Sequence, residues 1–362
     1  MEQFSLQERG AKKCSLPAEA LYTGPALEMS SSSAAARLHA SLLPRSGRIL
    51  EIAAGIGADS IALAEAAALL VSIEADPLHA HMLRHNLSLS KKQNSIVLHG
   101  RAEDLLPAVR LERFDAIFAD PARRSSAKRA GRTKQASANR RAEERTHRSI
   151  DVQDYSPPFS FFNALPSGLP ILIKIAPGAD VPDGWGVATV AFGGECKEQL
   201  LHRNLGLPQL CAIDAETGER WVPGQPEPGP VAVGHPSWLI EPHGAIIRTG
   251  AVAAYCREQG CEPLDPMIAY GWTDTEPPRS RWHQRFRILR IENFNRKGLQ
   301  RAVSEFGFGS CTEIKKRGFP DTPEEIRARL RFAGSMDGVI IITRRGEGHL
   351  MIFAERPAVF GG

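Results

Sequence analysis

Short apolar runs alternate with helical patterns through the first half of the chain. One helical pattern starts at Asp76-Pro77, where the aspartate suits a helix cap and the proline suits the first helical position. The apolar runs predict strands at Arg48–Ala53, Leu70–Glu74, Ser95–His99, Phe114–Ala119 and Pro170–Ile175. Because these strands are almost wholly apolar, they are typical of a parallel sheet that is buried on both faces. The pattern predicts an α/β fold with a Rossmann-like, doubly wound, mostly parallel sheet.

The second half has no repeating strand–helix rhythm, so we expect a separate α+β domain there. Thr322-Pro323-Glu324-Glu325 is a capping box, which predicts a helix that runs to about Phe332. Asn295 begins another helical pattern. Strands are predicted at Phe286–Ile291, Gly338–Thr343 and Leu350–Ala354.

The boundary between the two halves is a segment that neither a helix nor a central strand accepts. Residues 223–236 contain five prolines and three glycines. We therefore expect a helical lead segment at 1–46, an α/β domain at 47–222 with a basic insertion at 122–149, a linker at 223–236 and an α+β domain at 237–357.

Composition excludes several classes of protein. The chain has 362 residues, of which 42% are hydrophobic and 24% are charged, as in globular proteins. Six scattered cysteines form no C-x-x-C pair, and the histidines have no metal-ligand spacing, so we expect reduced thiols and no metal. No signal peptide or membrane-spanning run is apparent, and a cytoplasmic location is expected.

The net charge of +4 hides two basic segments. Residues 122–149 carry ten Lys and Arg against two Glu, and residues 279–317 carry eleven against three. Such segments either bind polyanions or form a solvated surface. If they bind RNA, the expected contacts are Arg123, Arg124, Lys128, Arg129, Arg132, Lys315, Lys316 and Arg317.

A glycine-punctuated turn follows the first predicted strand, in the sequence EIAAGIGAD from Glu51 to Asp59. Gly55 and Gly57 let the backbone bend sharply and approach a ligand. Glu74 ends the next predicted strand, where a carboxylate can accept hydrogen bonds from ribose hydroxyls. Together these features predict an adenosine site.

The residues around the turn select among adenosine cofactors. A dinucleotide site requires G-x-G-x-x-G, but Ser60 takes the third glycine position. Glu51, four residues before Gly55, would repel a pyrophosphate and can pair with an ammonium group. S-adenosylmethionine (SAM) has an amino-acid ammonium and no phosphate. The sequence therefore predicts SAM as the cofactor.

Two further strand ends complete the predicted pocket. The fourth strand ends in Asp120-Pro121, and the carboxyl ends of strands form the ligand crevice of an open α/β sheet, so Asp120 is expected near Gly55. Ala102 and Glu103, after the third strand, are expected beside the adenine.

The segments EIAAGIGADS, SIEAD, LRHN, GRAED and FDAIFADPARR resemble successive motifs of class I SAM-dependent methyltransferases, especially those that act on RNA. Beyond residue 236, PSWLIEPHGAIIRTGAV, EIKKRGFPDTPEEIRARL and the final strands resemble the THUMP-like C-terminal domain of a bacterial methyltransferase family with a DPARR motif. The resemblance covers about residues 20–356. It implies that residues 237–357 form a THUMP-like domain.

The resemblance also implies roles for individual residues. The methionine part of SAM would be bordered by Glu51, Ala53, Gly55 and Gly57, the ribose by Glu74, and the adenine by Ala102 and Glu103. Asp59, Ala75 and Asp120 complete the expected cofactor set. The methyl acceptor would face the catalytic candidates Asp120, Pro121 and Arg123.

Departures from the family patterns bear on the mechanism. Ala53 replaces a common glycine, and its methyl group can crowd the cofactor. Ala122 and Arg123 replace the proline and aromatic residue of amino-directed enzymes, so Arg123 would stack on a base or pair with a phosphate. Other candidate rings are those of Tyr155, Phe159 and Phe162.

Enzymes that methylate uridine C5 need a cysteine nucleophile, and the sole candidate, Cys196, is expected to be a buried structural residue. We therefore favour transfer to a ring or exocyclic nitrogen of a structured RNA, with Asp120 positioning the acceptor or taking its proton. Two alternatives stay open. One is a non-catalytic RNA-binding protein on a degenerate methyltransferase fold, and the other is a methyltransferase for a small molecule or protein.

Overall fold

The computed structural model describes residues 2–90, 93–123, 151–224, 229–231 and 233–357. The chain divides into two compact units, Met1–Val222 and Pro223–Gly362. Most of the predicted basic insertion lies outside the described residues, including four predicted RNA contacts, Arg124, Lys128, Arg129 and Arg132.

The first unit starts with three helices and then alternates strands with helices. Its helices are α1 (Glu2–Lys13), α2 (Gly24–Met29), α3 (Ser33–Ser41), α4 (Ala58–Ala66), α5 (Pro77–Ser88), α6 (Ala102–Leu105) and α7 (Phe159–Asn163). Its strands are β1 (Arg48–Ile52), β2 (Leu69–Glu74), β3 (Ser95–His99), β4 (Ala116–Ala119), β5 (Ala122–Arg123), β6 (Tyr155–Ser156), β7 (Ile171–Ile175), β8 (Gly186–Phe192), β9 (Glu195–Arg203), β10 (Leu210–Asp214) and β11 (Arg220–Trp221).

Nine of these strands form one sheet in the order β11-β10-β8-β9-β7-β4-β1-β2-β3. Five adjacent strands, in the order β7-β4-β1-β2-β3, run parallel to one another, whereas β9 is antiparallel to both β7 and β8. The chain leaves β1 toward β2 on one side, and β4 returns to the other side of β1. The crevice above this reversal is where open α/β sheets bind ligands.

Both faces of the sheet are buried, which explains the apolar strands. On β1, Ile49 packs into one core with the helices α3, α4 and α5, and Leu50 packs into the other. The prediction of a doubly wound, mostly parallel sheet is confirmed. Asp76 caps α5 through bonds from two backbone amides, as predicted.

One predicted strand is too long. Phe114 and Asp115 do not belong to β4, which has four residues. Asp115 nevertheless contacts the start of β1, because its amide donates to the carbonyl of Arg48 and its carboxylate accepts a hydrogen bond from the amide of Arg48 at 2.7 Å.

The second unit is a seven-stranded sheet with four helices. Its strands are β12 (Trp238–Pro242), β13 (Glu262–Asp265), β14 (Ile268–Thr273), β15 (His283–Asn293), β16 (Glu313–Arg317), β17 (Val339–Arg345) and β18 (Gly348–Glu355). Its helices are α8 (Gly244–Arg248), α9 (Val252–Glu258), α10 (Arg296–Glu305) and α11 (Pro323–Ala328). The strand order is β13-β14-β12-β15-β18-β17-β16, and all pairs are antiparallel except β16 with β17.

The helix caps predicted in this unit are confirmed, but one helix is shorter than predicted. Asn295 caps α10, and Thr322 and Glu325 form the capping box of α11. Helix α11 ends at Ala328 rather than near Phe332, because the side chain of Gln300 accepts the amide hydrogen of Arg331. Within the described ranges, no helix is long and apolar enough to cross a membrane.

Candidate functional site

A cavity of about 440 Å³ opens at the carboxyl ends of β1, β2 and β4. Its lining includes most of the residues that the sequence placed in the cofactor and acceptor sites. These are Glu51, Ala53, Gly55, Asp59, Glu74, Ala75, Ala102, Glu103, Asp120, Pro121 and Arg123. Gly57 does not line the cavity. The strand-end argument thus brings residues from four separate segments to one place.

Glu51 lies at the floor of this cavity with 1% of its surface exposed. Its Oε2 accepts hydrogen bonds from the hydroxyls of Ser60 at 2.7 Å and Ser72 at 2.6 Å. Its Oε1 has no hydrogen-bond partner among the described residues. Burial raises the pKa of Glu51 to about 8. Glu51 is therefore a lining residue whose carboxyl group has one buried oxygen without a partner, and the hydroxyl of Ser60, at the third glycine position of a dinucleotide turn, bonds to its other oxygen.

The turn after β1 has the left-handed backbone that its glycines predict. Gly55 has φ of 59°, and a Cβ atom there would meet nothing within 4 Å, so this backbone faces open space. Gly57 has φ of 99°, and a Cβ atom would lie 2.8 Å from Leu83. Gly57 therefore lets α4 pack on α5, which is a structural role. Ala53 has φ of 60°, a conformation that costs alanine roughly 1 kcal/mol.

Glu74 connects the turn to the next helix. Its Oε2 accepts a hydrogen bond from the amide of Gly55 at 2.7 Å, and its Oε1 accepts one from the amide of Asp76 at 2.8 Å. Each carboxylate oxygen has a second lone pair, so hydroxyls can still bind it. Glu74 fixes the backbone of the turn as well as lining the cavity.

Asp120, directly after β4, forms an ion pair with a residue that lies 54 positions away in the sequence. Its Oδ2 lies 2.9 Å from Nζ of Lys174 on β7. Lys174 also donates to the hydroxyl of Ser31 at 2.8 Å, and Oε2 of Glu198 lies 3.6 Å away. Burial raises the pKa of Asp120, whereas Lys174 acts to lower it.

A buried histidine lies close to this ion pair, because it contacts the same Glu198 that lies beside Lys174. Nδ1 of His39 on α3 lies 2.7 Å from Oδ1 of Asp59, and Nε2 lies 2.5 Å from Oε1 of Glu198. Burial opposes the positive charge, but Glu198 and Asp59 raise the pKa of His39 to about 10. His39 is fully buried between these two carboxylates, and its sequence context gave no sign of this role.

The N-terminal segment supplies part of the cavity wall. Ala26 and Met29 of α2, followed by Ser30 and Ser31, line the cavity. The sequence of this segment gives no sign of a functional role, because four small or apolar side chains form no recognisable motif. The sequence does contain a signal for Lys174, because this lysine interrupts the otherwise apolar strand ILIKI.

The other side of the cavity is formed where β5 pairs with β6. Arg123 lies opposite Tyr155, and the basic segment from residue 124 to 150, outside the described residues, connects the two strands. The ring of Tyr155 is buried, and its hydroxyl accepts a hydrogen bond from the amide of Ala176. The rings of Phe159 and Phe162 are also buried, so none of these three candidate rings is exposed to stack on a base.

The predicted RNA contacts of the second unit have partners within the protein. Lys315 and Arg317 on β16 pair with the carboxylate of Glu241 at 2.7 and 3.1 Å. Lys316 donates to the carbonyl of Phe319. Their contact with RNA stays a prediction, and it would require these bonds to rearrange or to be shared.

The cavity fits the cofactor that the sequence predicts. SAM carries an ammonium group, and the unpartnered Oε1 of Glu51 is a buried acceptor that such a group satisfies. Open space at Gly55 admits a ligand close to the backbone. Glu74 offers acceptors for ribose hydroxyls. Within the described residues, no group of His, Cys, Asp and Glu is arranged to hold a metal ion.

The chain is similar to known proteins in sequence and in fold. The family described as THUMP domain-like matches residues 283–356. Two proteins of Mycobacterium tuberculosis, from strains CDC 1551 / Oshkosh and ATCC 25618 / H37Rv, are 31% identical to this chain. The match covers 93% of this chain and 89% of each relative, and both are named uncharacterized S-adenosylmethionine-dependent methyltransferases. The crystal structure of a protein from Porphyromonas gingivalis W83, assigned as a methyltransferase, has the same fold. Its TM-score is 0.77 at 22% identity, covering 99% of this chain and 90% of that one.

Proposed function

Because the chain belongs to the family of S-adenosylmethionine-dependent methyltransferases, we propose that its methyl acceptor is a nitrogen of a structured RNA, such as rRNA or tRNA. One observation carries this proposal. The cavity that would take SAM is bordered by Arg123, which belongs to the basic insertion at residues 122–149, a segment with a net charge of +8. A polyanion held by this segment would present a base at the cavity. The THUMP-like match in the second unit supports the same class of acceptor.

The position of Asp120 supports a nitrogen acceptor. When bound, SAM supplies a methyl group on a sulfonium sulfur, which keeps the electron pair of the broken S–C bond. Asp120 lines the cavity beside Arg123, and only its Oδ2 is held by Lys174. Its other oxygen can accept the hydrogen of an N–H group, orient that nitrogen, and take the proton that the nitrogen loses.

The cysteines also favour nitrogen over a pyrimidine carbon. Transfer to a pyrimidine carbon needs a thiolate at the ring, but none of the residues described as lining the cavity is a cysteine. Cys196 is half-buried at the start of β9 and contacts the carbonyl of Glu198. Orientation of the acceptor is therefore the main contribution that we assign to the protein.

The test compares methylated nucleosides in RNA from cells with and without the gene. We expect one methylated nucleoside to be lost in the deletion strain. Purified protein should restore it on RNA from that strain, with incorporation lost in Asp120→Ala and retained in the control Asp104→Ala, whose side chain is 73% exposed. Saturable SAM binding without incorporation into this RNA would instead indicate a small-molecule or protein acceptor.

A further inference from the structure

The strand β7 carries a lysine in the middle of the protein core. Lys174 lies among the buried residues of ILIKI, and 8% of its side chain is exposed. Burial opposes its charge, but the carboxylates of Asp120, Glu198 and Asp59 outweigh burial and raise its pKa. A lysine is a costly way to fill a core, since removing an ammonium group from water costs several kcal/mol. Its head group reaches the cavity wall beside Asp120.

The charges around Lys174 are distributed unevenly. Three carboxylates, those of Asp59, Asp120 and Glu198, face two cations, Lys174 and His39. His39 bridges Asp59 and Glu198. Burial acts to raise the pKa of both carboxyls, but the contact with His39 outweighs burial and the pKa of each is lowered. Among the residues that the structure describes, only Lys174 pairs with Asp120. Asp120 therefore depends on a single cation, while its two neighbours share another.

We infer that Lys174 is a positioning residue for methyl transfer, which fixes one oxygen of Asp120 and keeps this carboxylate ionised for the acceptor. Lys174 is itself held by Ser31 from the N-terminal segment and lies close to Glu198 from β9. Because Lys174 fixes Oδ2 of Asp120, the carboxylate cannot rotate freely, and its other oxygen is held in a fixed orientation. A fixed, ionised carboxylate is the form that can orient an N–H group and accept its proton.

Without the lysine, three carboxylates would share one cation. Asp59 and Glu198 would remain paired with His39. The repulsion among the three carboxylates would then be relieved by a proton that binds to Asp120, which has lost its only cation. A protonated Asp120 can no longer take the proton of the acceptor nitrogen. The inference rests on the proposed function for its kinetic consequence, but the protonation of Asp120 can be measured without any acceptor.

The first measurement is a carbon NMR titration of the protein with labelled aspartate carboxyls, with Asp120→Asn identifying the signal. In Lys174→Met we expect the pKa of Asp120 to rise by about 1–3 units, because an opposite charge at this distance lowers a carboxyl pKa by that amount. Lys174→Arg should largely restore it. The control is Lys197→Met on β9, whose side chain is 48% exposed, and it should leave the pKa unchanged.

The second measurement is the dependence of kcat on pH, with total RNA from the deletion strain as acceptor. The acidic limb of the kcat–pH profile should move to higher pH in Lys174→Met, in the same direction as the pKa of Asp120, whereas KM for RNA should change little. A merely structural lysine would lower thermal stability and leave both the limb and the pKa in place. If Lys174→Met does not fold, Lys174→Gln removes the same charge and keeps a hydrogen-bond donor.

An unchanged Asp120 pKa in a folded, uncharged variant would overturn the inference. Failure of the proposed function has a different signature, since wild-type protein would then not methylate the RNA while the NMR titration still reports on Lys174.

Discussion

The carboxylate of Glu51 is the residue most directly shaped for the cofactor. Two serine hydroxyls hold one of its oxygens, and the other is buried without a partner. An unsatisfied buried polar group costs about 1–3 kcal/mol. A ligand ammonium removes that cost and stabilises the ionised form. Because the pKa of Glu51 is raised in the free protein, cofactor binding should depend on pH.

We predict that SAM binding releases about one proton per site near pH 7. In the free protein Glu51 has a pKa of about 8 and is mostly protonated, and a bound ammonium would ionise it. The SAM amino group is already mostly charged at this pH. Calorimetry in two buffers of different ionisation enthalpy measures the released proton. Glu51→Gln should abolish the release and weaken binding about tenfold to a hundredfold.

The exposed Glu65 on α4 provides the matched control, since Glu65→Gln should bind SAM and release protons like the wild type. Proton release that persists in Glu51→Gln would show that another group carries the ammonium.

Single residues of the cavity differ in how far the sequence could predict them. Glu51, Glu74 and Asp120 each lie at or next to the carboxyl end of a strand. Parallel strands bring these ends together, so the local sequence pattern was sufficient to predict that the three residues lie close to one another. Gly57 has the predicted backbone but packs on Leu83 rather than lining the cavity. No sequence pattern distinguishes a glycine that admits a ligand from one that admits a neighbouring side chain.

At the scale of elements, helix α3 and strands β7 and β9 meet at one buried charge cluster. His39, Lys174 and Glu198 come from these three elements, and 159 residues separate His39 from Glu198. Such a cluster could not be predicted from spacing, because only the tertiary fold brings its members together. The helix caps, in contrast, could be predicted from the sequence, because the residues that form a cap lie within four positions of one another.

We predict that the His39 cluster makes folding stability fall as pH rises from about 6.5 toward 10. The folded-state pKa lies above the ordinary value, so this stabilisation is complete below about pH 6.5 and is lost as the pH passes the folded-state pKa. His39→Gln should remove about 3–5 kcal/mol at low pH, because two buried carboxylates lose their cation. Urea denaturation at about pH 6 and 9 measures both effects.

The loss of stability should be much smaller at about pH 9 than at pH 6, since the wild type has already lost part of the contribution. His81→Gln, at an exposed position of α5, serves as the control and should leave the pH dependence unchanged. Equal destabilisation at both pH values would mean that His39 is neutral in the folded protein.

At the scale of the whole molecule, folding changes the charge pattern that the sequence suggests. Residues 279–317 have a local charge of +8, but many of their cations pair with carboxylates. Glu241 lies 74 residues before Lys315 and 76 before Arg317, and it binds both. Further pairs join Arg285 to Glu276, Arg287 to Glu355, Arg290 to Glu305 and Arg296 to Asp321. The second basic segment is therefore far less able to attract phosphates than its composition indicates.

We predict that residues 125–148 dominate the salt dependence of RNA binding. They carry eight Lys and Arg against two Glu, and each phosphate contact contributes about 0.7–0.9 to the slope of log affinity against log salt. Replacing them by a short Gly-Ser linker between the paired strands β5 and β6 should reduce the slope by roughly three to six. Replacing Lys315, Lys316 and Arg317 together by glutamine should reduce it by less than about one, because Glu241 already occupies two of them. Fluorescence anisotropy with a tRNA transcript measures both slopes, and unchanged SAM binding shows that each variant is folded. The opposite ranking of the two variants would place the main RNA contact on the second unit.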